Sequence, residues 1–230
     1  MNKLYDHQLH SLYPRLVLMG LETLILIAAC WLLLYNGPAI MNSWLNWNLP
    51  HGDERRNGLM LFLIVLTYIR MIFTIFYFLK RPLPWEEAFT VPFAFAIYYL
   101  LIPLLSLFTN KPLNAWDISF VLIFFLGSFI NTYSEWLRDR WKKNPSNHGK
   151  LYTGGLFRYS MHVNYFGDCL WVLALAMLTW NLWALFIPAA LFILFTFYNI
   201  PMLDQHLEEK YGTAFLQYRK STSKLVPFLY

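Results

Sequence analysis

Charge is scarce in this chain. Asp, Glu, Lys and Arg make up 13% of its 230 residues and hydrophobic residues 58%, whereas an ordinary soluble domain is about 25% charged. One soluble core has no room for that much apolar surface, so a water-soluble globular domain is excluded and lipid must act as solvent. Cysteine is nearly absent as well. Cys30 and Cys169 lie far apart in apolar runs, which excludes a disulfide framework and a CxxC metal signature, and no metal site is expected. Internal repeats are missing, against a transporter built from repeated halves. No small-residue cleavage site follows the first apolar run, so Met1 to Arg15 reads as a short cytoplasmic arm and not as a cleavable signal. The net charge of +5 reads as basic cytoplasmic loops and not as nucleic-acid binding.

What the chain has in abundance is long apolar runs. A membrane-spanning helix needs about 20 mostly apolar residues, and six segments read as spans: Leu16 to Tyr35, Leu59 to Leu79, Ala88 to Phe108, Ile118 to about Trp136, Phe166 to Thr179 and Leu182 to Asn199. The last two are separated by Trp180-Asn181 alone, so a tight antiparallel hairpin is expected. From Met202 to Tyr218, Leu203, Leu207, Tyr211, Ala214, Phe215 and Tyr218 recur at helical spacing, with Asp204, Glu208, Glu209 and Arg219 off the stripe. This predicts an amphipathic helix on the inner membrane surface, weakened by Gly212 by about 1 kcal/mol. The expected fold is an all-α polytopic membrane helix bundle. It forms a single domain over residues 1–230, with four spans in 1–140 and a second part over 147–230.

Lys and Arg side with the cytoplasm. With the N-terminus inside, fourteen of them fall in inside segments and three, Arg55, Arg56 and Lys111, in outside loops, while Arg70 lies within a span. Both termini are therefore expected in the cytoplasm. Helical rise then puts Arg70 about 14 Å and Glu22 about 10 Å below the inner surface, within reach of an ion pair. Glu86, Glu87, Asn131, Glu135 and Asp168 also lie in the cytoplasmic half, and the outer half holds only Asp117, at its rim. Charges inside a span usually mark function. A structural pair is the alternative for Glu22 and Arg70, and ordinary span ends in reach of water the simpler reading of Glu86, Glu87 and Glu135. The asymmetry describes a polar pocket open to the cytoplasm that continues into an apolar cavity. It suits a charged soluble cosubstrate together with a lipid-like substrate.

The densest run of chemistry is Gly155-Leu-Phe-Arg-Tyr-Ser-Met-His-Val-Asn-Tyr-Phe-Gly-Asp168. Arg158 and His162 suit phosphate oxygens, Asn164 suits an amide or a ribose, and Gly167 permits close backbone approach. A lone His or Tyr at a membrane edge is also common without any ligand. The segment resembles the signature of a membrane superfamily of steroid 5-alpha-reductases, sterol C14 reductases, isoprenylcysteine carboxyl methyltransferases and phospholipid methyltransferases. It is most similar to the bacterial steroid-5-alpha-reductase-like branch. The match runs through Asn147, Gly149 and Lys150, then Gly155, Leu156, Arg158, Tyr159, Ser160, His162 and Asn164 to Asp168. Met161 and Val163 stand where the pattern has Arg and Pro. Lys210-Tyr211-Gly212, Phe215, Tyr218 and the stretch Val-Pro-Phe-Leu-Tyr230 resemble the sterol reductase terminus. Tyr68-Ile-Arg70 resembles, one residue short, a Tyr and basic pair whose Tyr polarises a substrate carbonyl.

The resemblance implies NADPH or S-adenosylmethionine in a cytosolic pocket. On it, Asn147, Lys150, Arg158, His162, Asn164, Tyr165, Asp168, Lys210 and Tyr211 are candidate cofactor-binding residues. Tyr68, Arg70 and Glu22 are candidate catalytic residues, Tyr68 hydrogen-bonding or protonating the substrate and the others tuning it. NADPH needs Lys or Arg for its phosphates and S-adenosylmethionine does not. The basic loop and tail favour NADPH, although basic cytoplasmic loops arise anyway, and Met161 removes one phosphate contact. The implied activity is NADPH-dependent reduction of a carbon–carbon double bond in a lipid or sterol-like substrate, in a bacterial inner membrane or the endoplasmic reticulum. Methyl transfer to a lipid or prenyl-type substrate, and a degenerate lipid-binding member, are the alternatives.

Overall fold

The computed structural model describes residues 12–35 and 37–230. Most of the expected cytoplasmic arm, up to residue 11, lies outside the described residues. The chain is all-α, without a strand among the described residues. Helix α1 is Leu12–Leu34, α2 Gly37–Leu45, α3 Glu54–Phe73, α4 Trp85–Ala96, α5 Ile102–Leu107, α6 Ala115–Lys142, α7 Val163–Leu178, α8 Phe186–Leu194, α9 Ile200–Tyr211 and α10 Thr213–Ser221. Among the described residues, five continuous helices are long and apolar enough to cross a membrane: Leu12–Leu34, Glu54–Phe78, Trp85–Leu107, Ala115–Lys142 and Leu182–Tyr211. The remaining apolar segment, α7, has 16 residues, about 24 Å at 1.5 Å per residue, against a hydrocarbon layer of about 30 Å. The chain is thus a polytopic membrane protein. The short helix α2 is a further element, which the hydropathy pattern does not single out.

Three spans contain wide π turns, at Thr74–Phe78, Ile97–Leu101 and Phe195–Asn199. The second and third run into Pro103 and Pro201, each in the opening positions of the next helix. Proline has no N–H to return to the carbonyl four residues back. The regular ladder fails there, and a wider turn absorbs the misfit.

Close contacts group the chain into two compact units, one up to Phe120 together with Leu175–Leu185, the other Val121–Ala174 with Phe186–Tyr230. In the first, α1 packs on α3 and α4. Leu18, Met19, Met71, Ile75, Leu83 and Ala88 form its buried core, with Tyr68 and Phe95 against it. The same unit holds a polar hub in which Arg56, expected in a loop, lies in the first turn of α3, buried against Asp117 in the first turn of α6. Arg56 is 1% exposed and Asp117 3%. Arg56 donates Nε to Lys111 O at 2.7 Å, Nη1 to Asp117 Oδ1 at 2.9 Å and Leu178 O at 2.6 Å, and Nη2 to Pro112 O at 2.8 Å and Asp117 Oδ2 at 2.9 Å. That uses all five guanidinium N–H groups. Asp117 accepts further bonds from Trp180 Nε1 and the Asn114 amide.

In the second unit, α6 and α7 meet backbone to backbone at Gly127 and Gly167. A Cβ on Gly127 would stand 2.7 Å from Gly167 O, and one on Gly167 2.7 Å from Gly127 O. The close approach expected at Gly167 is therefore made by a neighbouring helix. The single amphipathic helix expected over Met202–Tyr218 is corrected to two. Helix α9 grows directly out of the last span, and Gly212, at φ 52° and ψ −124°, breaks the chain in a conformation open to glycine. Helix α10 then turns Phe215 and Tyr218 onto Met161, and Leu151, Leu207 and Tyr211 close the cluster.

Arg56→Ala leaves Asp117 buried without its counter-charge and is expected to lower stability by about 3–5 kcal/mol. Arg56→Lys, with three donors in place of a five-donor fork, recovers only part of that. Thermal unfolding of the detergent-purified variants measures both. Gly167→Ala drives a methyl into the α6 backbone and is expected to lower Tm by several degrees. Gly20→Ala, whose Cβ meets nothing within 4 Å, does not lower it.

Candidate functional site

Two polar clusters stand out, one in each unit. In the first unit, Tyr68 is half-buried and its hydroxyl lies 2.7 Å from Thr23 Oγ1. Thr23 gives its own hydroxyl proton to Met19 O at 2.7 Å, so Tyr68 is the donor of the pair. Glu22 and Tyr99 are both 0% exposed. Tyr99 sits in the π turn Ile97–Leu101, faces Glu22 and lies within electrostatic reach of Arg70 and Tyr68. Neither Glu22 oxygen nor the Tyr99 hydroxyl makes a hydrogen bond of normal geometry among the described residues. The expected ion pair of Glu22 with Arg70 is thus not made as a hydrogen bond. Arg70 itself is half-buried.

The second cluster is built on the segment before α7. Residues 160–162 are zipped to residues 223–225: Met161 N donates to Ser223 O at 2.8 Å, His162 N to Lys224 O at 3.1 Å and Ser160 Oγ to Leu225 O at 2.8 Å. Tyr218 reinforces the clamp by donating its hydroxyl to Phe157 O. Burial holds the Tyr218 phenol far above its ordinary pKa, so it remains a donor.

His162 is 1% exposed. Its Nε2 lies 2.8 Å from Asp204 Oδ1 on α9. Its ring stacks on Tyr165 at 5.8 Å, and Tyr165 stacks on Phe195 at 4.5 Å. Asn164 donates to Glu135 Oε1 at 3.1 Å, and Asn131 donates to the Asn164 carbonyl at 3.1 Å. Glu135 also pairs with Arg138, three residues on in the same helix. Asp168 accepts from Trp171 Nε1 at 2.8 Å, and Asn147 donates to Trp141 O at 2.9 Å. Arg158, Lys150 and Lys210 are exposed, with Arg158 over the Tyr159 ring and Lys210 over the Tyr211 ring. Tyr211 is half-buried against the Met161 cluster. Met161, in the place of the pattern's Arg, is therefore a core residue here. Asp204 also lines an open hollow of about 500 Å³ with Gln205, Glu208, Glu209, Arg219 and Lys224.

The structure thus gathers Glu22, Tyr68 and Arg70 around Tyr99, and brings His162 to Tyr165. Asn164 and Asp168 are engaged with Glu135 and Trp171, and the basic residues stay at the surface. Sequence reasoning missed Tyr99, hidden in an aromatic run, and the role of Asp204, visible only as an acid off the α9 stripe. It also missed Thr196 and Asn199, whose Oγ1 and Oδ1 are buried without a hydrogen-bond partner among the described residues. Their three-residue spacing in an otherwise apolar span was the available signal. No group of three or more His, Cys, Asp or Glu is placed to hold a metal ion among the described residues.

The family model described as "Protein of unknown function (DUF1295)" matches residues 33–222. The 3-oxo-5-alpha-steroid 4-dehydrogenase 2 of Sus scrofa is 31% identical over 110 residues, 48% of this chain and 41% of that protein. Its Homo sapiens counterpart is 30% identical over the same shares. A probable O-methyltransferase, ustE of Ustilaginoidea virens, is 34% identical over 91 residues, 39% of this chain and 32% of that protein. The matched stretches span less than half the length of these relatives. The family match covers most of this chain, which is a member of the DUF1295 family of steroid-5-alpha-reductase-like membrane proteins.

Proposed function

We propose that the protein is an NADPH-dependent reductase of a carbon–carbon double bond in a lipid or sterol-like substrate. The observation that carries this reading is the Glu22 and Tyr99 pair: a buried carboxyl group and a buried phenol that face each other inside spans, neither with a hydrogen bond of normal geometry among the described residues. Unsatisfied polar groups in a lipid-surrounded bundle are costly, and an oxygen of a bound substrate meets the need. The Tyr99 hydroxyl donates to a carbonyl conjugated with the double bond, and Glu22 orients the phenol. As negative charge builds on that oxygen the bond strengthens, which stabilises the transition state. Tyr68 and Arg70 belong to the same cluster, Tyr68 with its proton committed to Thr23 and Arg70 adding positive charge nearby.

NADPH, when bound, supplies the hydride. The chain's own residues suit it in two ways. Arg158, Lys150 and Lys210 present exposed cations for phosphates, which offsets the apolar role of Met161. His162, Asn164, Tyr165, Asp168, Asn147 and Tyr211 form the surrounding frame, and the orphan atoms of Thr196 and Asn199 call for a polar ligand group. The fourteen basic residues of the segments expected inside favour both termini in the cytoplasm, the side from which a soluble nucleotide arrives; that orientation requires α7 to cross as a sixth span.

The similarity to a probable O-methyltransferase favours a second reading, methyl transfer from S-adenosylmethionine. Methyl transfer requires no proton donor at a carbonyl, so the two readings separate by mutation. With an enone-containing lipid as substrate, Tyr99→Phe and Glu22→Gln are each expected to lower kcat of NADPH oxidation by about 100-fold, while the melting temperature with NADPH bound still rises. Methyl transfer would survive both changes.

Purified wild-type protein is expected to gain several degrees in Tm with NADPH and none with S-adenosylmethionine. The reverse result selects the methyltransferase. Stabilisation by neither leaves a lipid-binding protein that has lost catalysis.

A further inference from the structure

Threonines in these helices usually satisfy their hydroxyls locally. Thr23, Thr67, Thr74 and Thr90 each donate to the carbonyl four residues back. Thr196, 7% exposed, does not, and its Oγ1 has no partner among the described residues. Three residues on, Asn199 Oδ1 is also buried and without a partner. Both belong to the π turn Phe195–Asn199, a type of helix interruption frequent at functional sites. Phe195 of the same turn stacks on Tyr165 and Tyr165 on His162, which joins the turn to the segment before α7.

We infer that Thr196 and Asn199 receive the carboxamide of a nicotinamide ring, an assignment that rests on the reductase reading. The chemistry of the two orphan atoms selects the group. Asn199 Oδ1 lacks a donor, and a phosphate, which offers only acceptors at neutral pH, cannot supply one. A primary carboxamide brings two N–H donors and one carbonyl. One N–H goes to Asn199 Oδ1, and the carbonyl accepts from the Thr196 hydroxyl. Both side chains belong to the same π turn, three residues apart, and the Thr196 hydroxyl is not spent on its own helix.

The test compares binding of NADPH with that of its reduced 3-acetylpyridine analogue, in which a methyl ketone replaces the carboxamide and the N–H donors are lost. Dissociation constants come from fluorescence or thermal-shift titration of purified wild type, Asn199→Ala and Thr196→Val. Wild type is expected to bind NADPH about tenfold more tightly than the analogue, the loss of one buried hydrogen bond. Asn199→Ala lowers NADPH affinity by a similar factor and brings the two ligands to within about twofold. Thr196→Val weakens both alike, because the carbonyl is common to them. Equal affinities in wild type, or an unchanged preference in Asn199→Ala, overturn the assignment. The wild-type comparison stands even where a variant fails to fold. Absence of binding by either nucleotide to wild type instead overturns the reductase reading, and the assignment with it.

Discussion

A single buried guanidinium organises the first unit. Every N–H of Arg56 is spent, two on Asp117 and three on the carbonyls of Lys111, Pro112 and Leu178. Those carbonyls close a loop and end a helix, places where backbone acceptors have no partner of their own. In lipid such acceptors cannot turn to water, so one fork-shaped cation supplies what several loops would otherwise lack. With the Lys111–Asp117 corner and the end of α7 fixed in this way, α1, α3 and α4 can pack around Leu18 and Met71 and hold Glu22 and Tyr99 away from solvent.

Proline governs the interior of the spans. Pro103 and Pro201 interrupt the helical ladder, and the π turns that precede them carry Tyr99, Thr196 and Asn199. Three side chains with a buried atom that lacks a partner among the described residues thus stand where the backbone is irregular.

Much of this was legible from composition and pattern. Long apolar runs fix the spans, since their length must match the bilayer, and breaks such as Lys80-Arg81-Pro82 fall where helices end. The segment from Gly155 to Asp168 and Tyr68 were legible through resemblance, and the Glu22 and Arg70 neighbourhood through charge inside a span. What escaped depends on contacts between distant residues. Arg56 looks like a loop residue until Asp117 is brought to it, and His162 looks like a surface histidine until α9 delivers Asp204. Gly212 looks like a weak point in one helix, yet its positive φ makes it a corner between two. Hydropathy reports how greasy a window is. It is silent on which of two adjacent arginines is buried, as Arg55 and Arg56 show.

The pairing of residues 160–162 with 223–225 bears on how the protein is made. Ser160 and its acceptor, Leu225, are 65 residues apart in sequence. During synthesis the backbone groups of the motif therefore lack their final partners until the last span and both helices after it have left the ribosome. Earlier spans can insert and pack as they emerge, but this segment must wait. Completion of the clamp on residues 160–162 is a late step in biogenesis.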